Sequence, residues 1–195
     1  MTPPNSVWLG PEFFSRDATV VARALLGKAL VRSRGKAVSS YTITETEAYV
    51  GPHDLASHAA RGRTNRNAPM FGAPGTLYIY RIYGLHWMLN VVTGAAGYPA
   101  AVLIRSVEAI TGPGRLTRDL EITDRFNGQM ASRQAGLGFA DQGERIASRR
   151  ILRTARIGVA YAGAIWAAKE YRFVLLPENL RPVPARGSRA KAARG

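Results

Sequence analysis

Apolar periodicity divides the chain into one amphipathic helix and a series of strands. Ala18, Val21, Ala22 and Leu25 fall at i, i+3, i+4 and i+7, with Asp17 in the first turn and Gly27 placed to close the end. Residues 28–31 and 39–49 read as the two strands of a hairpin whose turn holds Ser33, Gly35 and Lys36. Residues 76–83 alternate again, with Tyr78 and Tyr80 on one face, and residues 85–93 continue as a strand. The tip of this second hairpin is therefore Tyr83-Gly84, where a large aromatic has nothing of its own hairpin to pack on. Residues 100–107 (AAVLIRSV) form a continuous apolar run, the pattern of a strand buried on both faces. Arg105 near its end must find an anion, a water or an acceptor. Residues 112–120 predict a short helix entered through Pro113, and residues 151–161 and 171–176 read as closing strands.

Segments without periodicity complete the outline. Residues 53–70 are polar and Gly-containing, which predicts an ordered loop or short helical turns over the surface, and residues 123–150 read mostly as loop. Residues 1–10 form a Pro-containing lead-in expected to be flexible. Residues 178–195 form a basic, Pro- and Arg-containing tail, leaving residues 11–177 as one domain. The fold class expected is α/β of the α+β type: a single domain with a curved, mainly antiparallel sheet and surrounding helices.

One strand carries unusual chemistry. Strict alternation over residues 41–50 puts Tyr41, Ile43, Glu45, Glu47 and Tyr49 on one face. Buried carboxylates lose several kcal/mol of hydration, so such a row is suited to lining a pocket rather than filling a core.

Charge sharpens the picture. Lys and Arg total 27 against 13 Asp and Glu in 195 residues, a net +14 that points to a polyanion, most simply nucleic acid. No apolar run approaches the ~18–20 residues of a membrane span, so no membrane partner is expected. Zero cysteines remove disulfides and thiolate metal sites and fit a reducing cytoplasm. His53, Asp54, His58 and His86 lack the spacing of a metal site, and no nucleophile-elbow serine is present. Glu45 and Glu47, roughly 7 Å apart on a strand face, match the separation of a carboxylate pair that cleaves glycosidic bonds. Clustered Tyr and His rings in a basic chain suit stacking on nucleic-acid bases.

Carboxylates, aromatics and basic charge meet in the run ETEAYVGPHDLASHAARGRTNRNAPMFGAPGTLYIYRIYGLHWMLNVV. It resembles the alkyladenine (3-methyladenine) DNA glycosylase family, whose members carry an ETEAY strand, a D-x-A-x-H turn, a T-x-R-N-x-x-M-F segment, a P-G-x-x-Y-x-Y-x-x-Y-G hairpin and a following asparagine. FFSRDATVVARALLGKALV upstream, and VLIR, GPGRL and ARIGVAYAGAIWAAKEYRF downstream, extend the likeness over roughly residues 12–174. Two departures stand out: only Ser106 to Thr111 separate VLIR from GPGRL, where the family usually has some tens of residues, and the closing segment is the chain's own.

The resemblance implies a monofunctional purine DNA glycosylase of base excision repair. Such an enzyme flips alkylated or deaminated purines out of duplex DNA and hydrolyses the N-glycosidic bond. The family's water-activating glutamate falls on Glu47, and the arginine that helps hold the water on Arg105. Its aromatic walls fall on Tyr49, His58 and Tyr80, and the asparagine that crowds the amino group of guanine on Asn90. The residue that wedges into the duplex falls on Tyr83. No lysine occupies a matching pocket position, so no lyase step is expected, nor any metal or organic cofactor. The expected partner is duplex DNA containing damaged purines, bound by a monomer in the cytoplasm, at the nucleoid. Two rival readings are a non-enzymatic nucleic-acid-binding protein and a small-molecule nucleoside hydrolase. Phosphate binding alone asks for neither Glu47 nor Asn90, and a net +14 suits no small neutral substrate.

Overall fold

The structure, a computed structural model, describes residues 6–178. Residues 1–5 and the expected basic tail from residue 179 onward lie outside the described residues. In chain order the elements are β1 (Val7–Trp8), α1 (Pro11–Phe14), α2 (Ala18–Leu25), β2 (Ala29–Arg34), β3 (Ala37–Tyr49), β4 (Leu77–Ile82), β5 (His86–Thr93), β6 (Ala100–Val107), α3 (Pro113–Asp119), β7 (Leu137–Asp141), β8 (Ile151–Thr154), α4 (Gly163–Ala167) and β9 (Arg172–Leu175). The strands form one antiparallel sheet in the order β1-β7-β2-β3-β6-β5-β4, with β9 bridging β3 and β8. No helix among the described residues is long and apolar enough to cross a membrane.

Helix α2 forms where the periodicity predicted. The Asp17 carboxylate accepts from the Thr19 N–H (2.7 Å), and Gly27 leaves the helix at φ +78°. Its apolar stripe of Val21, Ala22 and Leu25 packs in one cluster with Ile43, Ala48, Leu89 and Ile104 of the sheet. The hydroxyl of Thr46 donates to the Ala22 carbonyl (2.8 Å), fixing helix to strand.

Strand β3 serves three partners, and a break in its register makes this possible. Residues Ala37 to Thr42 pair with β2, whereas Glu45, Thr46 and Glu47 pair with β9 along the same edge. On the other edge Ile43 pairs with Val107, Glu45 with Ser106 and Thr46 with Ile104. This register leaves Thr44 on β3 and Arg105 on β6 without opposite numbers, a pair of bulges on facing strands. Bulges bend the strand and re-aim side chains. Here they move Ile43 onto the core face with Ala48 and Val50, and they turn Arg105 toward the carboxylates of β3.

Several expectations need correction. Strict alternation put Tyr41 and Ile43 on the face of Glu45 and Glu47; the bulge at Thr44 reverses the parity and both pack in the main core instead. The lead-in is not structureless up to Gly10, because Val7 and Trp8 pair with Asp141 and Ala140. Residues 123–150 contain β7, which pairs with both β1 and β2. Gly138 hid this strand from the pattern; a Cβ there would lie 2.7 Å from the Trp8 ring, so the position admits no side chain. Finally, the strand predicted over residues 151–161 stops at Thr154, and the following chain turns into the short helix α4.

Candidate active site

The bulged end of β3 holds a charged centre. Glu47 is 0% exposed; its Oε1 accepts from the Ile157 N–H (2.8 Å) and its Oε2 from the Tyr49 hydroxyl (3.0 Å), while Arg105 Nη1 forms an ion pair with Oε1 at 3.2 Å. Burial pushes its carboxyl above the ordinary glutamate range, while Arg105 and the two hydrogen bonds pull the other way. Glu45 is arranged differently. Its Oε1 accepts from Arg105 Nε (3.0 Å) and Arg172 Nε (2.5 Å), and its Oε2 from the Ser106 hydroxyl (2.7 Å). Against the upward push of burial, Ser106, Arg172 and Arg105 hold the Glu45 carboxyl below its usual range. Two carboxylates on one arginine thus have different tasks: Glu45 anchors Arg105, and Arg105 faces Glu47.

Beside Glu47 an aromatic cavity opens, lined by Tyr49, His58, Tyr78, Tyr80, Asn90 and Tyr161, with Ala56, Ser57, Met70 and Ala101 between them. Alternation on β4 supplies Tyr78 and Tyr80, whose rings lie 5.2 Å apart. His58, in a 3-10 turn after the loop at residue 53, meets the Tyr80 ring edge-on at 4.5 Å and shares a 2.9 Å hydrogen bond with the Tyr78 hydroxyl. Burial, then the charge of Arg66, lowers the His58 pKa, so the ring stays neutral. Burial raises the Tyr49 and Tyr80 hydroxyls far above the ordinary tyrosine value and Tyr78 to about 12, so these walls are neutral too. Asn90 Nδ2 donates to the carbonyls of Tyr78 (3.1 Å) and Met88 (3.3 Å), leaving Oδ1 as its free polar atom. The cavity measures about 30 Å³, room for a water or two but not for a purine ring. A base enters only if the walls part.

The β4–β5 hairpin carries Tyr83 to the outside. Tyr83 and Gly84 both have positive φ (+51° and +68°), as a tight hairpin turn demands, and Leu85 N–H closes it on Ile82 O (3.0 Å). Tyr83 is 89% exposed. Arg66 Nη2 donates to the Arg81 carbonyl beside it (2.8 Å), adding positive charge along the hairpin.

The structure thus places Tyr49, His58, Tyr80 and Asn90 around one cavity, sets Glu47 and Arg105 together behind Tyr49, and leaves Tyr83 at the tip. His53, His58, Asp54 and His86 do not converge, and no cluster of metal-binding side chains exists among the described residues. Sequence reasoning missed the contribution of residues 155–168. Arg156 is buried against Asp54, Nη1 to Oδ2 at 2.5 Å and Nη2 to Oδ1 at 2.9 Å, and its Nη1 also reaches the Ala48 carbonyl (2.9 Å). Its guanidinium lies 4.8 Å from the Tyr49 ring centre. This fork holds the Ile157 N–H on Glu47 and brings Tyr161, whose hydroxyl donates to Ala56 O (2.9 Å), over the cavity. An arginine before an isoleucine in an apparent strand gave no signal of this, nor did Asp54 in a polar loop.

Comparison with known proteins bears on this arrangement. The chain matches a family model described as methylpurine-DNA glycosylase over residues 12–112 and 108–179. The two matches meet at residues 108–112, where a tight turn (Val107 N–H to Ile110 O, 3.0 Å) leads from β6 into α3. A protein of Anaeromyxobacter dehalogenans named "Putative 3-methyladenine DNA glycosylase" is 45% identical over 182 residues, covering 88% of this chain and 85% of the relative. A protein of the same name from Myxococcus xanthus is 44% identical over 178 residues, covering 85% and 88% respectively.

Proposed function

The chain belongs to the methylpurine-DNA glycosylase family, hydrolases of N-glycosyl bonds that act on DNA, and from that premise we propose that it flips alkylated or deaminated purines into the aromatic cavity and hydrolyses them from duplex DNA, with Glu47 activating the attacking water. The observation that carries the reading is the state of Glu47. A carboxylate has about four acceptor sites; on Glu47 one site of each oxygen takes a protein hydrogen bond, and the Arg105 guanidinium sits 3.2 Å from Oε1. Oε2 accepts only from the Tyr49 hydroxyl, and Tyr49 lines the cavity, so the attacking water takes the remaining site on Oε2 when the walls part. The water gives its proton to Glu47 as its oxygen attacks the anomeric carbon, and the base departs with the bonding electrons. Arg105 and the Ile157 N–H favour the ionised form of Glu47 against the upward push of burial.

Neutral walls favour the substrates proposed. An alkylated purine with positive charge loses nothing by repulsion against neutral His58 and gains roughly 0.5 to 2 kcal/mol over the tyrosine faces. Oδ1 of Asn90, its orientation set by two backbone carbonyls, is the group that a bound purine edge meets, and it crowds the amino group of undamaged guanine. Tyr83 fills the gap left in the duplex. Release of free base from synthetic duplexes, each carrying one defined lesion, tests the assignment. Release from alkylated or deaminated purine duplexes and not from undamaged DNA is expected; release from none of them, with nucleosides hydrolysed instead, points to the small-molecule reading.

A further inference from the structure

A second cleft, sharing no lining residue with the aromatic cavity, lies between the β2–β3 turn and the chain that follows α3. It is open, measures about 670 Å³, and is lined by Arg32, Arg34, Arg125 and Arg133 with Phe126 and Glu121. Glu47 lies ten residues beyond Ala37 along β3, about 33 Å of extended strand, so the cleft is remote from the carboxylate centre.

Its charge is not balanced. Glu121 is the one carboxylate lining it, and Arg34 Nη1 takes that partner at 2.6 Å. Arg125 and Arg133 are exposed and make no ion pair among the described residues. Arg32 is only 2% exposed, yet its partners are all neutral: Nε donates to Leu120 O (2.9 Å), Nη1 to the carbonyls of Ser33 and Gly136, and Nη2 has none. The guanidinium carbons of Arg32 and Arg125 lie 4.9 and 4.7 Å from the centre of the same Phe126 ring, so two like charges share one aromatic. Buried cations ordinarily have an anion beside them because the lost hydration is otherwise uncompensated. Desolvation, then Arg125 and Arg34, lowers the Arg32 pKa, as crowding of like charge requires.

An oxyanion in the cleft relieves this strain, and guanidinium forks match the oxygens of a phosphate in pairs. We propose that the Arg32–Arg34–Arg125–Arg133 cleft is a phosphate-binding site separate from the base pocket. Its occupant is either a backbone phosphate of nucleic acid or the phosphate of a free nucleotide.

Thermal melting of the full chain at fixed ionic strength, in chloride and in inorganic pyrophosphate, tests this. Above half-saturation the melting temperature should rise by about 3–5 °C per tenfold in pyrophosphate over the chloride value. In Arg125→Ala/Arg133→Ala, whose side chains are exposed and whose loss leaves the core intact, the rise should disappear. Arg16→Ala/Arg149→Ala, with the same change of charge elsewhere on the surface, should keep it. No rise in the native chain, an undiminished rise in the first variant, or equal loss in both variants overturns the proposal. The source follows from salt titrations of duplex binding by the same proteins. A slope flatter by about 1 in the first variant than in the second assigns the site to a DNA phosphate. Equal slopes, with the pyrophosphate effect intact, assign it to a free phosphate or nucleotide.

Discussion

Glu45 and Glu47 are two residues apart on β3 and share Arg105, yet one is held below and the other above its usual pKa. The difference is arithmetic of partners: Glu45 accepts two guanidinium groups and a hydroxyl, whereas Glu47 is deeper and has one guanidinium at 3.2 Å. On the proposed role a pH dependence follows. A general base works only when ionised, so the rate is lost as pH falls through the pKa of Glu47, and burial places that loss above the ordinary glutamate range. Arg105 pulls the value down, so Arg105→Gln should move the acid limb of the single-turnover rate to higher pH and lower the plateau. An acid limb that stays in place would show that another group sets it. The Asp54–Arg156 fork makes a separate prediction. Both side chains are 0% exposed, and breaking a buried pair from one side typically costs about 3–5 kcal/mol. Asp54→Ala should lose stability of that order in denaturant titration; a loss below about 1 kcal/mol would mean that solvent reaches Arg156 freely.

At the level of elements, the second hairpin is the part whose form most directly implies a use. A non-glycine residue at φ +51° carries a small backbone strain, and the same strain projects the Tyr83 ring away from the molecule. An inserted ring restores some of the stacking lost when a base leaves, about 1 to 3 kcal/mol by alanine substitution. Tyr83→Ala should leave the melting temperature unchanged and lower base release from paired lesions roughly ten- to a hundred-fold, with less effect on mismatched ones, where less pairing opposes flipping. Excision of hypoxanthine from paired and mismatched duplexes checks it; equal losses on both would make Tyr83 a general contact. Much of this element level was legible in the sequence. Apolar runs and alternation gave α2, both hairpins, β6 and α3 close to their observed bounds, because each is long enough for its period to show. What alternation cannot see is a change of register. The bulges at Thr44 and Arg105 reverse parity without any change in composition, β7 hides behind Gly138, and the fork of Arg156 is fixed by a contact over a hundred residues away. Likeness to a family motif named Tyr49, His58, Tyr80 and Asn90, which line one cavity, but neither Tyr161 nor the residues that support them, because support depends on packing rather than on local pattern.

The molecule as a whole carries +14. Association with a duplex should therefore weaken steeply with salt, by about 0.9 in log K per unit log salt for each phosphate neutralised. A flat response, measured by fluorescence anisotropy between low and physiological salt, would remove DNA as the partner of this surface and favour a small substrate. The aromatic cavity, at about 30 Å³, sets a second whole-molecule constraint, because binding must part walls drawn from β3, β4, β5 and the chain around Tyr161. On the proposed reading binding and chemistry are separable, since Tyr83 is exposed at the hairpin tip while Glu47 is fully buried. Glu47→Gln tests that separation most directly, in a single-turnover assay of base release set beside the affinity for the same lesion duplex. Affinity within a few-fold of native and base release lower by roughly 100- to 10,000-fold is the expected result; base release within a few-fold of native would contradict the account and move the base to another residue.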